Sequence, residues 1–266
     1  MTGIKTILVH VDFQDVLPAR VKFAADLASR FGAKLIGLSA AQMPSMTPSI
    51  GRGRFTQFET SEIEEQLDKV RQRFGELVPA SVQTEWRGEV GSPTQMVARH
   101  ACAADLLVAS SHSGSDLAES DVGDLAMMAG RPVLDPALGA EALSAETILV
   151  AWRNTREARR AVRDALPFLA LAKDVRIASI VGDANETEEI DAVVGYLAAH
   201  GVSAEPLIVE GDQRHRGAML LQRATEIGAG LIVAGAFGHS RFRELAFGGA
   251  TRDLLHQTDI SVLLSN

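Results

Sequence analysis

The chain is short of cysteine: Cys102 is the only one among 266 residues. No intramolecular disulfide can form, which fits a reducing compartment. A lone thiol also leaves no cysteine pair for zinc, and none of the 7 histidines falls in an HExxH spacing. Positive charge is scarce as well. There are 26 Lys and Arg against 34 Asp and Glu, a formal net charge of -8. That argues against a general affinity for nucleic acid, which needs basic surface to displace counterions. It does not exclude an anionic ligand held by backbone dipoles. Long apolar runs are missing too. The stretch Ile7–Val11 contains His10 and stops at Asp12, too short for a signal-peptide core or a membrane span. The expectation is a soluble, cytoplasmic protein with no membrane partner.

What the chain does have is repetition. Thr6-Ile7-Leu8-Val9 recurs as Thr147-Ile148-Leu149-Val150, at an offset of 141. Asp105-Leu106-Leu107-Val108-Ala109 recurs in kind as Gly230-Leu231-Ile232-Val233-Ala234, at 125, and Pro132-Val133-Leu134 as Ser261-Val262-Leu263, at 129. The first half therefore carries 16 extra residues early, and the second half 4 extra residues before its last strand. The early insertion fits Ala41–Phe58, whose Pro44, Pro48, Gly51 and Gly53 give it loop composition. At this length two domains are the natural prior. The boundaries read as 1–135 and 146–266, with the Pro136- and Gly139-containing segment between them.

Each half alternates short apolar runs with amphipathic stretches. In the first, strands are expected at Thr6–Asp12, Lys34–Ala40, Val82–Arg87, Leu106–Ser110 and Val133–Leu134. Asp15 can cap a helix carrying Val21, Ala24, Ala25, Ala28 and Phe31 at helical spacing, ended by Gly32. A charged helix covers Ser61–Phe74, and Ser92-Pro93 opens another. In the second half the strands are Thr147–Trp152, Val175–Val181, Ala204–Val209, Leu231–Gly235 and Ile260–Leu264. Asn154 and Glu157 form a capping pair for the first helix there. This pattern predicts an α/β fold, two five-stranded parallel sheets of Rossmann-like type covered on both faces.

One stretch carries chemistry: Gly235-Ala-Phe-Gly238-His239-Ser240-Arg241-Phe-Arg-Glu-Leu-Ala-Phe-Gly248-Gly249-Ala250-Thr251. It follows a buried strand and opens a helix. Ligands of open parallel sheets bind beyond the strand C-termini, where the chain order reverses. Glycines there bring backbone N–H groups close to a phosphate, and the following helix adds its own free donors and dipole.

This stretch resembles the universal stress protein signature of Gly, two residues, Gly, nine residues, Gly, then Ser or Thr. Gly235, Gly238 and Gly248 match in spacing; Gly249 stands in the Ser/Thr place, with Thr251 two residues on. The five-strand pattern of both halves resembles the same family, an adenine nucleotide alpha hydrolase-like fold. The resemblance implies that the second half binds ATP or AMP, with Mg²⁺ accompanying ATP. Gly235, Gly238, His239, Ser240, Arg241, Gly248, Gly249, Ala250 and Thr251 would border the phosphates, and Trp152, Arg153 and Val181 the nucleoside. The family's acidic residue after its first strand is matched by Asp12, but in the second half by Arg153. That arginine either stacks on adenine, pairs with phosphate or closes the pocket. In the first half Ser110 and Ser113 replace the first two glycines, and Asp116, Glu119, Asp121 and Asp124 would repel phosphate. Poor or absent nucleotide binding is expected there.

Other candidates carry less. His10, His112, His215 and His239 lie near strand ends without metal spacing, and Cys102 is expected to pack in the core. Ser110, Ser111 and Ser113 lack the glycines of a nucleophile elbow, and no acid/base pair is evident, so at most slow ATP hydrolysis is expected. Two readings follow. One is a nucleotide-binding stress-response or regulatory protein. The other is a nucleotide-free assembly module whose last strands, Val133–Leu134 and Ile260–Leu264, pair or pack with each other inside the chain as a pseudo-dimer, with a homodimer also open. An adenylyl-transfer enzyme is a weaker third.

Overall fold

The structure is a computed structural model and describes residues 3–12, 17–41, 56–110, 121–181, 188–212, 215–236, 249–256 and 259–266. The first half runs β1 (Thr6–His10), α1 (Leu17–Phe31), β2 (Lys34–Ala41), α2 (Thr56–Leu77), β3 (Thr84–Val90), α3 (Pro93–His100), β4 (Leu106–Val108), α4 (Val122–Met128), β5 (Val133–Asp135). The second half repeats the order as β6 (Thr147–Ala151), α5 (Arg156–Leu169), β7 (Asp174–Val181), α6 (Glu188–Ala199), β8 (Glu205–Glu210), α7 (Arg216–Glu226), β9 (Leu231–Gly235), α8 (Gly249–His256), β10 (Ser261–Ser265).

All ten strands join one sheet, in the order β3-β2-β1-β4-β5-β10-β9-β6-β7-β8. The central strands are apolar along their length because both faces are covered. Ile7 and Val9 pack under α1 and α2, while Leu8 and Leu107 pack under α3 and α4 on the other face. Neighbours are parallel everywhere except at the centre, where β10 runs antiparallel to β5 with Val262, Leu263 and Leu264 opposite Asp135, Leu134 and Val133. The two halves therefore pair through their last strands inside one chain, as the apolar character of those strands suggested. Chain order reverses between β1 and β4 and again between β6 and β9. Those two reversals place a crevice at the strand C-termini of each half.

Several local expectations are corrected. The proposed loop Ala41–Phe58 is too long at both ends, since Ala41 belongs to β2 and α2 begins at Thr56; residues 42–55 and the Asp15 cap lie outside the described residues. The cap of α5 is Thr155 instead of Asn154: its extended backbone lets Oγ1 accept from the Ala158 N–H at 3.3 Å. Asp121 is no loose acid. It caps α4, accepting from the Asp124 N–H at 2.8 Å. Cys102 is exposed, because the 3₁₀ turn Ala101–Ala103 buries Ala101 and turns the next residue outward. Gly32 ends α1 at φ +60° as expected of a left-handed terminator.

Candidate functional site

In the first half the crevice is filled by the chain itself. Asp12, just past β1, is 1% exposed and meets Arg20 of α1, 2% exposed, at 2.8 Å. Arg20 also donates from Nε to Ser110 Oγ at 3.0 Å and from Nη1 to the His10 carbonyl at 3.2 Å. Its Nη2 has no partner among the described residues. His10 and Asp135 are buried in the same cluster. Arg20 thus spans the gap between β1 and β4, at the place where a nucleoside would reach Asp12. Sequence reading missed it, although a charged residue on the stripe shared with Ala24 and Leu27 was a visible signal.

Burial sets the protonation of this cluster. It lowers the His10 pKa from 6.5 to about 3, with Arg20 pushing the same way and Asp12 opposing. It raises the Asp135 pKa from 3.8 to about 8, against Arg20 and the Ser110 hydrogen bond. Both groups are neutral in the folded protein near pH 7. Stability through Asp135 falls as pH rises from about 3.8 to about 8, because the unfolded carboxyl ionises first. Stability through His10 falls as pH drops from 6.5 to about 3, because the unfolded imidazole takes the proton first. The two slopes oppose each other between 3.8 and 6.5, so only Asp135 acts from 6.5 to about 8. The melting temperature is expected to decline over that upper window, and Asp135→Asn to flatten the decline. An unchanged slope in differential scanning fluorimetry would rule out Asp135 as its source.

The second half lacks this plug. Ile7 pairs with Leu106 and Ile148 with Leu231, which fixes the equivalence of the two crevices. The pattern of buried positions on α1 and α5 then puts Ala161 where Arg20 stands and Gly235 where Ser110 stands. Ala151 replaces His10, and Arg153 replaces Asp12. Arg153 is exposed, its carbonyl accepting from the Thr155 N–H at 2.6 Å. Val181 is buried at the end of β7, opposite Glu210 of β8. Thr251 is 6% exposed inside α8, whose first residues are Gly249 and Ala250. Gly238, His239, Ser240, Arg241 and Gly248 lie outside the described residues.

Two predicted site residues also take part in packing. A Cβ on Gly235 would lie 2.5 Å from Ala158 N and 2.7 Å from Glu157 C, so this glycine lets α5 approach β9. Trp152 points its ring into the α5/α6 side of the core, away from α8. It is 8% exposed, and Nε1 has no partner among the described residues; such a donor costs about 1–3 kcal/mol unpaired. Glu157 was read only as a cap. It is buried at the start of α5, where burial works to raise its pKa but its own N–H, Arg156 and Thr155 outweigh it and hold it ionised.

The universal stress protein family model matches residues 3–126 and again 144–266. The chain belongs to that family. Its two universal stress protein domains stand in tandem, and solved structures share the whole arrangement. A universal stress protein from Archaeoglobus fulgidus DSM 4304 superposes with a TM-score of 0.73 at 15% identity, over 98% of this chain and 96% of its own. A functionally unknown protein from Pseudomonas aeruginosa PAO1 gives 0.60 at 17%, over 98% and 92%. A universal stress protein in complex with cAMP is 23% identical over 50% of this chain and 97% of its own, with a TM-score of 0.37. No curated protein matches the chain. Among the described residues no helix is long and apolar enough to cross a membrane.

Proposed function

We propose that the second universal stress protein domain binds an adenine nucleotide, ATP or AMP, and that the first does not. The observation that carries this reading is the contrast between equivalent crevices. A buried Asp12–Arg20 pair fills one, while the other has Ala161 and Gly235 in place of the plug's arginine and serine. In sequence, β9 at this crevice is followed by the spaced glycines and then by α8. Phosphates would rest on backbone N–H groups of that loop. Mg²⁺ would arrive on the triphosphate oxygens, since among the described residues no group of three His, Cys, Asp or Glu side chains stands ready for a metal. The role is stress-response or regulatory, in the cytoplasm, with the paired halves substituting for a dimer of single domains.

One observation favours the nucleotide-free alternative. Glu157 places an ionised carboxylate at the α5 start, beside Gly235, where it repels phosphate and occupies its own backbone N–H. Calorimetric titration of ATP and AMP separates the two readings. Saturable binding of one nucleotide per chain is expected, lost in Gly238→Asp and Gly248→Asp and strengthened about threefold for ATP in Glu157→Gln. No saturable heat up to about 1 mM ligand, or binding untouched by both glycine changes, sinks the nucleotide reading.

A further inference from the structure

We propose that the cleft between α5 and α6 is a separate ligand site, suited to a small organic anion with a flat apolar body, of which an aryl carboxylate is the plain case. A cavity of about 520 Å³ opens there, within the range of small-molecule sites. Trp152, Val162 and Val193 form its apolar floor, Tyr196 stands at its mouth, and Arg159 and Arg163 line the α5 side.

One difference between the halves lies at the base of the cleft. The Val11 N–H donates to the Leu38 carbonyl at 2.8 Å, and the Trp152 N–H to the Ala178 carbonyl at 2.8 Å, so the two residues hold the same place. Val11 is sealed beneath α1 and α2, which pack on each other. The larger Trp152 ring lies instead at the base of an open cleft.

The lining is specific in chemistry. Trp152 and Tyr196 offer two aromatic surfaces to a planar body. The Tyr196 ring is held against His200, with centroids 4.6 Å apart. Arg159 and Arg163 lie one helical turn apart on the exposed side of α5, and neither is ion-paired among the described residues. A guanidinium recognises a carboxylate by two parallel hydrogen bonds. Beneath them the buried Trp152 Nε1–H has no hydrogen-bond partner among the described residues. Apolar floor, aromatic wall and paired cations together select a monoanion carrying hydrophobic surface. The cleft lies on the sheet face of α5 and α6, whereas α8 packs on the other face. The site is therefore independent of nucleotide binding.

The test uses the full chain and 2-naphthoate, titrated by calorimetry. A dissociation constant on the order of 0.1–1 mM is expected. Arg159→Gln should weaken it about fivefold or more, and the neutral 2-naphthalenemethanol should bind the unaltered protein correspondingly worse. Trp152→Phe should weaken naphthoate too; because that residue is buried, the exposed Arg159 change keeps the test decisive if the Phe variant does not fold. Saturating ATP, or Gly238→Asp, should leave naphthoate affinity unchanged, which separates this site from the nucleotide crevice. No saturable binding, equal affinity for acid and alcohol, an unaffected Arg159→Gln variant, or displacement by ATP would each overturn the proposal.

Discussion

Arg20→Leu is expected to lower the melting temperature of the protein by about 10 °C. The change removes the guanidinium that meets Asp12 at 2.8 Å, in a place where both side chains are all but sealed from water. A carboxylate stripped of its partner there keeps its full desolvation penalty, and breaking such pairs costs about 3–5 kcal/mol. It also removes the donor from which the Ser110 hydroxyl and the His10 carbonyl accept. The pair itself is not expected to be the source of much net stability, because two charges were desolvated to form it. Combining Arg20→Leu with Asp12→Leu should therefore recover at least half of the loss. A single change that moves the melting temperature by less than about 2 °C would mean that water already solvates Asp12. A double variant no better than the single would assign the cost to lost packing of the arginine stem instead of to the orphaned charge.

The architecture was readable because a parallel sheet covered on both faces writes itself as short apolar runs, and each run here occurs twice. Thr6–Val9 and Thr147–Val150 start equivalent strands, and their registers against β4 and β9 repeat residue for residue. That the last strands could meet inside the chain was legible from the apolar Val133–Leu134 and Ile260–Leu264; their antiparallel direction was not. Local choices between similar neighbours were not legible. Asn154 and Thr155 are both cap formers, each three residues before a possible donor, and only the backbone geometry picks Thr155. Cys102 in a helical stretch reads as inward until the last turn tightens to 3₁₀. The crevice was the hardest part. Motif spacing found the glycines, but the contents of the first crevice depend on Arg20 meeting Asp12, Ser110 and His10 across α1, β1 and β4. No local pattern encodes that meeting.

Gly235→Ala is the change that separates what a motif glycine does for the fold from what it does for a ligand. The added Cβ would stand 2.5 Å from Ala158 N, 2.7 Å from Glu157 C and 2.9 Å from Glu157 Cβ. Two of these are main-chain atoms at the start of a helix, so no side-chain rotation relieves the contact. The α5 start must move off β9, and α5 buries Ala158, Ala161, Val162, Ala165, Phe168 and Leu169. Overpacking of this kind costs about 1–3 kcal/mol, and the main-chain contacts put the expected value at the upper end, a fall of about 10 °C in melting temperature. The fall should be the same with and without nucleotide, because the clash exists in the empty protein. Gly238→Ala and Gly248→Ala then serve as the informative partners. Weakened ATP binding in those two, beside an equal loss of stability with and without ATP in Gly235→Ala, would divide the motif into one packing glycine and two ligand glycines. A Gly235→Ala protein that melts within about 1 °C of the parent would show that α5 yields easily, and would return Gly235 to the ligand.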